Sequence, residues 1–233
     1  MTVPPGAPQA SRLRLDGVSV VVTAGGTREP IDPVRFIGNR SSGKMGNALA
    51  AACLEAGAIV ELVTAAAPPA PAPGLRVTEV ETAEEMREAV WAALRSADLL
   101  FMAAAVADYR PRQAAERKVK KDPAGISLDL VPTTDILASL RHHPRRSAVF
   151  LVGFAAETDD LVANARDKLH RKGLDLIVLN DVRAPGIGMG ADDNAVTVLD
   201  AEGVVAAVPR RPKLEVARAI VVAAAARLPL ASA

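Results

Sequence analysis

Val18-Ser-Val-Val-Val-Thr23, then Ala24-Gly-Gly-Thr-Arg-Glu-Pro-Ile-Asp-Pro-Val-Arg-Phe-Ile-Gly-Asn-Arg-Ser-Ser-Gly43, then Lys44 to Ala56 read in succession as strand, polar loop and helix. The valine run suits a strand buried on both faces, as in a parallel sheet. A strand that feeds a helix through glycines and hydroxyls turns free backbone N–H groups towards the positive end of the helix dipole. That is a natural seat for phosphate. Pro30 and Pro33 stiffen a connection that is long for a strand–helix unit, and long ordered loops are usually functional.

Outward from this stretch, the same alternation continues. Gly57 is the expected left-handed helix cap, followed by strands at Ile59–Thr64 and Leu75–Val80. Thr82 and Glu85 have the spacing of a capping box, and Met86, Val90, Ala93 and Leu94 behind them keep the helical period. Asp98–Ala103 is a fourth buried strand. Strands alternating with helices at this spacing predict an α/β fold, a Rossmann-like doubly wound and mainly parallel sheet. Ligands then bind beyond the carboxyl ends of the strands.

From Ala104 to Asp129 no period holds, although Ile126–Leu130 alternates like a half-exposed strand. Thr134 is the expected cap of a short helix to about Leu140. A strand at Ala148–Phe154, a helix at Leu161–Lys172 capped by Gly173, and a strand at Leu176–Asn180 follow. After a Pro/Gly/Met loop at Ala184–Gly190, Asn194–Asp200 and Val204–Val208 flank Ala201-Glu-Gly203, which is hairpin chemistry. A last helix starts at about Lys213. The Pro/Ala-rich residues 1–15 read as a flexible tail or linker remnant, and 16–229 as one domain.

Composition narrows the function. Half of the 233 residues are hydrophobic but only 3% are aromatic, so the core is expected to be Val- and Ala-built. A formal charge of +1 argues against a general nucleic-acid or membrane surface. The single cysteine, Cys53, excludes an internal disulfide and reads as a buried helix residue. There is no secretory apolar region, and the Ala/Val run near Ala217–Ala226 is short and carries Arg218 and Arg227 at its edges. A cytoplasmic location is expected.

Gly38-Asn-Arg-Ser-Ser-Gly43-Lys44 fills the first seven positions of a Walker A loop. However, Met45 stands where a hydroxyl should hold magnesium, and the strand lies well upstream. Anion binding at this helix start is expected on physical grounds alone, with Gly25, Gly26, Ser41, Ser42 and Gly43 as substrate-binding candidates. The opening loop also lacks G-x-G-x-x-G, which weighs against a dinucleotide site. Lys118-Val-Lys-Lys121 reads either as a solvated charge run or as a ligand-facing loop. Lys168 and Lys172 share one helix face, either as a solvated stripe or aimed at one polyphosphate. His142, His143 and His170 read as exposed, and Asp159-Asp160 and Asp192-Asp193 as loop or cap residues.

These stretches together resemble phosphopantothenoylcysteine synthetase, the cysteine-ligase half of the bacterial bifunctional coenzyme A biosynthesis protein. The resemblance is carried by T-A-G-G-T-R-E-P-I-D-P-V-R at Thr23–Arg35, N-R-S-S-G-K-M-G at Asn39–Gly46 and A-A-V-A-D-Y at Ala104–Tyr109. K-V-K-K at Lys118–Lys121, G-F-A-A-E-T at Gly153–Thr158 and L-D-L-I-V-L-N-D at Leu174–Asp181 complete it in the family's order. It implies condensation of 4′-phosphopantothenate with L-cysteine at the expense of CTP, through an acyl cytidylate, with Mg²⁺ held mainly by the nucleotide phosphates. It implies no flavin in this chain. It also implies a homodimer with a pairing surface near the second half, and leaves open a separate decarboxylase as partner.

Residue by residue, the resemblance makes Asn39 the catalytic amide that bonds the acyl carbonyl, and Lys118 the lysine that neutralises phosphate and assists turnover. Arg35 and Ala105 match the phosphopantothenate and acyl site. Asp108, Phe154, Lys168 and Lys172 match nucleotide positions, as do the backbones of Met102, Ala103 and Ala104 and of Thr134, Asp135, Ile136 and Leu137. Phe154 is expected to pack on the pyrimidine. Thr134 departs from the proline found in many members. The competing readings are an NAD(P)-dependent oxidoreductase on the same sheet and a non-catalytic nucleotide-binding domain.

Overall fold

The computed structural model describes residues 15–157, 161–181 and 190–229. Of the tail expected at residues 1–15, only Leu15 is described, and there the expectation is corrected: Leu15 is buried in the core and its amide donates to the Ala56 carbonyl at 2.7 Å. The Asp159-Asp160 pair and most of the Pro/Gly/Met loop lie outside the described residues. Strand β1 (Ser19–Ala24) lies at the middle of an eight-stranded sheet. Two short strands, β2 (Arg28–Pro30) and β3 (Phe36–Gly38), follow before helix α1 (Lys44–Glu55). Then come β4 (Ile59–Thr64), β5 (Leu75–Glu79), α2 (Ala83–Ala93), β6 (Leu99–Met102), β7 (Tyr109–Pro111), β8 (Leu130–Pro132) and α3 (Ile136–Ser139). The chain continues through β9 (Phe150–Glu157), α4 (Leu161–Lys172), β10 (Leu176–Asp181), β11 (Asp193–Leu199), β12 (Val204–Pro212) and α5 (Lys213–Ala225).

The sheet runs β12-β11-β10-β9-β6-β1-β4-β5. The six strands from β5 to β10 pair in parallel, and β11 and β12 add an antiparallel hairpin at one edge. The order reverses between β1 and β6, so the crevice of this doubly wound sheet opens above Ala24 and Met102. Alternation along β1 sends Val20, Val22 and Ala24 to the α1/α5 face and Val21 to the α2/α4 face. Helix α1 buries Gly46, Leu49, Ala50 and Cys53 at helical spacing on the first face. Burial pushes the Cys53 thiol up to about 12, so it is an inert packing residue. On the other face, Met86, Val90, Ala165 and Leu169 pack from α2 and α4. Each large side chain withdrawn from water contributes about 1.5–3 kcal/mol, and Phe101, Leu49, Leu62 and Leu151 are among those fully withdrawn.

Local signals decide most boundaries. The Thr82–Glu85 capping box forms as its spacing predicts, with Thr82 Oγ1 accepting from the Glu85 amide at 3.2 Å. The β11–β12 hairpin also forms where expected. Four other expectations need correction. The polar loop contains the β2–β3 hairpin, because Asp32 folds its turn. The cap of α3 is Asp135, whose carboxylate accepts from the Ala138 amide, and not Thr134. The alternating Ile126–Leu130 forms no strand until Leu130, where β8 pairs with β7. His143 is buried edge-on against Trp91, ring centroids 4.8 Å apart, whereas His142 and His170 are exposed.

Candidate active site

At the crevice the β1 and β6 ends are stitched together. Gly26 and Ala105 form a parallel bridge, the Ala105 amide donates to the Gly25 carbonyl at 2.8 Å, and the Ala107 amide donates to Thr27 Oγ1 at 2.8 Å. Buried Thr23 accepts from the Ala104 amide at 3.0 Å. These bonds fix the backbone that lines a cavity of about 730 Å³, a size suited to a nucleotide together with part of a second substrate.

The cavity brings together Asn39, Ser41, Ser42 and Gly43 from the loop, Met102 to Asp108 after β6, and Thr134 to Leu137 at α3. Half-buried Phe154 on β9 and Lys168 and Lys172 on α4 complete this set. Asn39 Nδ2 donates to the carbonyls of Ala105 (3.3 Å) and Val106 (3.0 Å). The amide has two N–H donors, so giving one to a substrate oxygen requires exchanging one of these bonds. Lys168 donates to the Phe154 carbonyl at 2.9 Å, and Lys172 pairs with Asp135. Burial pushes the Asp135 carboxyl up, but the Lys172 ammonium and the Ala138 amide outweigh it and hold it below its ordinary value.

Four predicted residues lie outside the cavity of the single chain. Gly25 and Gly26 act through close packing: a Cβ on Gly26 would stand 2.6 Å from the Asn39 carbonyl oxygen. Gly26→Ala is therefore expected to cost about 1–3 kcal/mol by overpacking, read as a lowered Tm. An unchanged Tm would mean the loop can give way. Arg35 and Lys118 sit on a neighbouring clamp. Buried Asp32 accepts from the Val34 and Arg35 amides (both 2.9 Å), from Arg35 Nε (3.0 Å) and from the Val119 amide (3.1 Å). The Arg35 guanidinium in turn donates to the Val119 carbonyl at 2.7 Å. Lys118 is exposed beside this two-point hold on Val119.

The cavity also takes in residues that the sequence pointed to weakly or not at all. Lys44, Met45, Arg171, Asn180, Asn194 and Lys213 line it. Lys44 stood in the Walker-like pattern, but Lys213 has no local motif and is placed only by the β11–β12 hairpin. The lining carries five basic side chains against two carboxylates, Asp108 and Asp135, so the ligand it favours is an anion. Among the described residues no group of three His, Cys, Asp or Glu side chains could hold a metal ion, and no helix is long and apolar enough to cross a membrane.

A switch-point crevice with small-residue walls, a glycine-started helix and lysines on its lining defines an α/β protein whose crevice favours an anion. The chain belongs to the family of DNA/pantothenate metabolism flavoprotein C-terminal domains, which matches residues 15–228. It is 46% identical over 203 residues to the coenzyme A biosynthesis bifunctional protein CoaBC of Bacillus subtilis, covering 87% of this chain and 50% of that protein. The chain thus spans about half the length of that relative. The crystal structure of the C-terminal domain of a CoaBC protein superposes with a TM-score of 0.76 at 37% identity, over 94% of this chain and 98% of that one. A Cab2 variant in complex with phosphopantothenate-cysteine shares the fold, with a TM-score of 0.74 at 19% identity over 90% of this chain and 86% of that one.

Proposed function

We propose that the chain is a phosphopantothenate–cysteine ligase that uses CTP. The observation that carries this reading is the single cavity joining Asn39 and Ala105 to Phe154, Lys168 and Lys172. An acid and a nucleotide can meet there. A carboxylate oxygen of 4′-phosphopantothenate attacks the α-phosphorus of CTP, the bond to the bridging oxygen breaks, and pyrophosphate leaves. The amine of cysteine then attacks the acyl carbon of the acyl cytidylate, loses a proton, and CMP departs with the former carboxylate oxygen.

The chain's own residues position and neutralise. Phosphoryl transfer of this kind is mostly placement and charge stabilisation. Phe154 offers its ring to the pyrimidine, while the Met102–Ala104 and Thr134–Leu137 backbones read its edge. Ala105 leaves room for the acyl chain. Asn39 donates to the acyl oxygen as charge grows on it. Mg²⁺ bound to the triphosphate would draw charge from the leaving pyrophosphate. Asp108, exposed at the cavity wall, is the side chain suited to share that ion with the phosphates. Lys118 and Arg35 lie outside this cavity, so their role requires Lys118 to reach the site by movement or from a second copy in a homodimer.

The reading is tested by separating the two halves. Pyrophosphate release is expected to require CTP and 4′-phosphopantothenate but not cysteine, and CMP release to require all three. Pyrophosphate formed without the acid, or ATP serving as well as CTP, would contradict it.

A further inference from the structure

We propose that Thr27, which does not line the cavity, is the positioning residue that lets Asn39 lend a hydrogen bond to the reacting acyl group. This role rests on the ligase reading. Thr27 is fully buried behind the glycine turn and grips the segment after β6 at two points. Its amide donates to the Ala105 carbonyl at 3.3 Å, and its Oγ1 accepts from the Ala107 amide at 2.8 Å. Between these points the Val106 carbonyl accepts from Asn39 Nδ2 at 3.0 Å.

The Val106 carbonyl and the Ala107 amide belong to one peptide unit. That unit is planar and trans, so its C=O and N–H point in opposite directions. Thr27 Oγ1 therefore holds one end of the plane and Asn39 meets the other. Turning the plane away from Thr27 turns the Val106 carbonyl away from Asn39. The two bonds also polarise each other through the shared amide. From the next unit, Thr133 Oγ1 donates to the Ala107 carbonyl, which steadies the segment on its far side.

The two carbonyls under Asn39 are not equivalent. Ala105 O takes two donors, the Thr27 amide and Asn39 Nδ2, each at 3.3 Å. Val106 O takes Asn39 alone among the described residues, and at the shorter distance. A carbonyl oxygen has two lone pairs, and leaving it with no donor is the costly outcome. When Asn39 leaves Ala105, that carbonyl keeps the Thr27 amide. Were it to leave Val106, that carbonyl would keep no protein donor. The bond to Ala105 is thus the one exchanged for the acyl oxygen, while the bond to Val106 keeps the Asn39 amide in place.

Thr27→Val keeps the shape of the side chain and removes the acceptor, whereas Thr27→Ser retains it. Thr27→Ala also removes it, and replaces the valine variant should that one not fold. In rapid-quench turnover, Thr27→Val is expected to release CMP about 10–100-fold more slowly, the loss that follows from a misplaced donor. The pyrophosphate burst should be little changed, and Thr27→Ser should recover most of the CMP rate. A threonine that only supports the fold would lower Tm alone or slow both steps together. Either result overturns the proposal, as does a serine variant as slow as the valine one.

A second readout needs no turnover. With ¹⁵N-labelled asparagine, the Asn39 side-chain amide of wild type and Thr27→Ser should resonate away from the position of free asparagine. Thr27→Val or Thr27→Ala should bring it back towards that position. Adding CTP and 4′-phosphopantothenate without cysteine to wild type should shift one of the two Asn39 amide protons and leave the other. Identical Asn39 signals in all the proteins overturn the proposal. So does movement of both protons, or of neither, in a protein that forms pyrophosphate. If the free-protein signals follow Thr27 but no CTP-dependent condensation occurs, the hold on Asn39 stands and the ligase reading falls. If condensation occurs and the signals ignore Thr27, the reverse is true.

Discussion

Asn39→Asp is expected to form the acyl cytidylate and then stall. The substitution keeps the size of the side chain but replaces an N–H donor with a carboxylate oxygen. The bonds now made to the Ala105 and Val106 carbonyls would become contacts between acceptors. On the proposed reading, the first step, attack by the acid on CTP, does not use the Asn39 donor, whereas attack by cysteine builds charge on the acyl oxygen. Losing one such donor costs about 10²–10³ in rate. Rapid quenching should show a near-stoichiometric burst of pyrophosphate, with CMP release slowed by that factor. Normal CMP release would remove Asn39 from the chemistry, and an equal loss of both steps would make it a folding or binding residue.

Asp32→Asn is expected to have the second largest effect, although Asp32 lies outside the cavity. Its carboxylate gathers the Arg35 guanidinium and three backbone amides, one of them from Val119. The amide substitute keeps one acceptor and brings an N–H towards groups that are themselves donors. The Val119 segment then loses its hold, and Lys118 with it. Misplacing a reacting group by about 1 Å can cost about 10² in rate, so a kcat loss of that order is expected, with CTP affinity little changed. A loss confined to KM for CTP would contradict this route.

The same residue gives a pH signature. The Arg35 hydrogen bond is the largest influence on Asp32 and, with the three amides, outweighs burial and holds the carboxyl far below its ordinary value. A carboxyl lowered by folding stabilises the protein above its unfolded pKa, and that contribution fades as pH falls towards its folded one. The Tm difference between wild type and Asp32→Asn should be constant above about pH 5 and shrink below about pH 4, where the unfolded carboxylate takes up protons. A difference that grows on acidification would show that the carboxyl is not held ionised.

How much of this was legible in the sequence follows from how local each signal is. The capping box at Thr82 and Glu85, the helix Leu161–Lys172 and the hairpin around Gly203 depend on neighbours a few residues away, and all three form as read. The doubly wound, mainly parallel sheet was legible in the alternation of valine-rich runs with small-residue helices, whereas the order of its strands was not. The β2–β3 hairpin was hidden because its strands are three residues each and one contains Pro30. It is fixed by one carboxylate rather than by an apolar pattern. His143 looked polar because nothing nearby announces Trp91, which lies across the fold. Lys213 is the plainest limit: a lysine at a helix start carries no sign of a cavity until β12 delivers it there.

Asn39 and the nucleotide positions were legible only through family resemblance, and the cavity then gathered Asn39, Asp108, Thr134, Phe154, Lys168 and Lys172. Arg35 and Lys118 share the resemblance but not the cavity. Their spacing in sequence said nothing about the clamp at Asp32, which needs a fold to exist.

The central claim is that a carboxylate is activated at the α-phosphorus of the nucleotide. Isotope transfer from 4′-phosphopantothenate labelled with ¹⁸O in its carboxylate tests it most directly. Turnover with CTP and cysteine should place one labelled oxygen in CMP and none in pyrophosphate. Label in pyrophosphate or inorganic phosphate, or CMP without label, would contradict it.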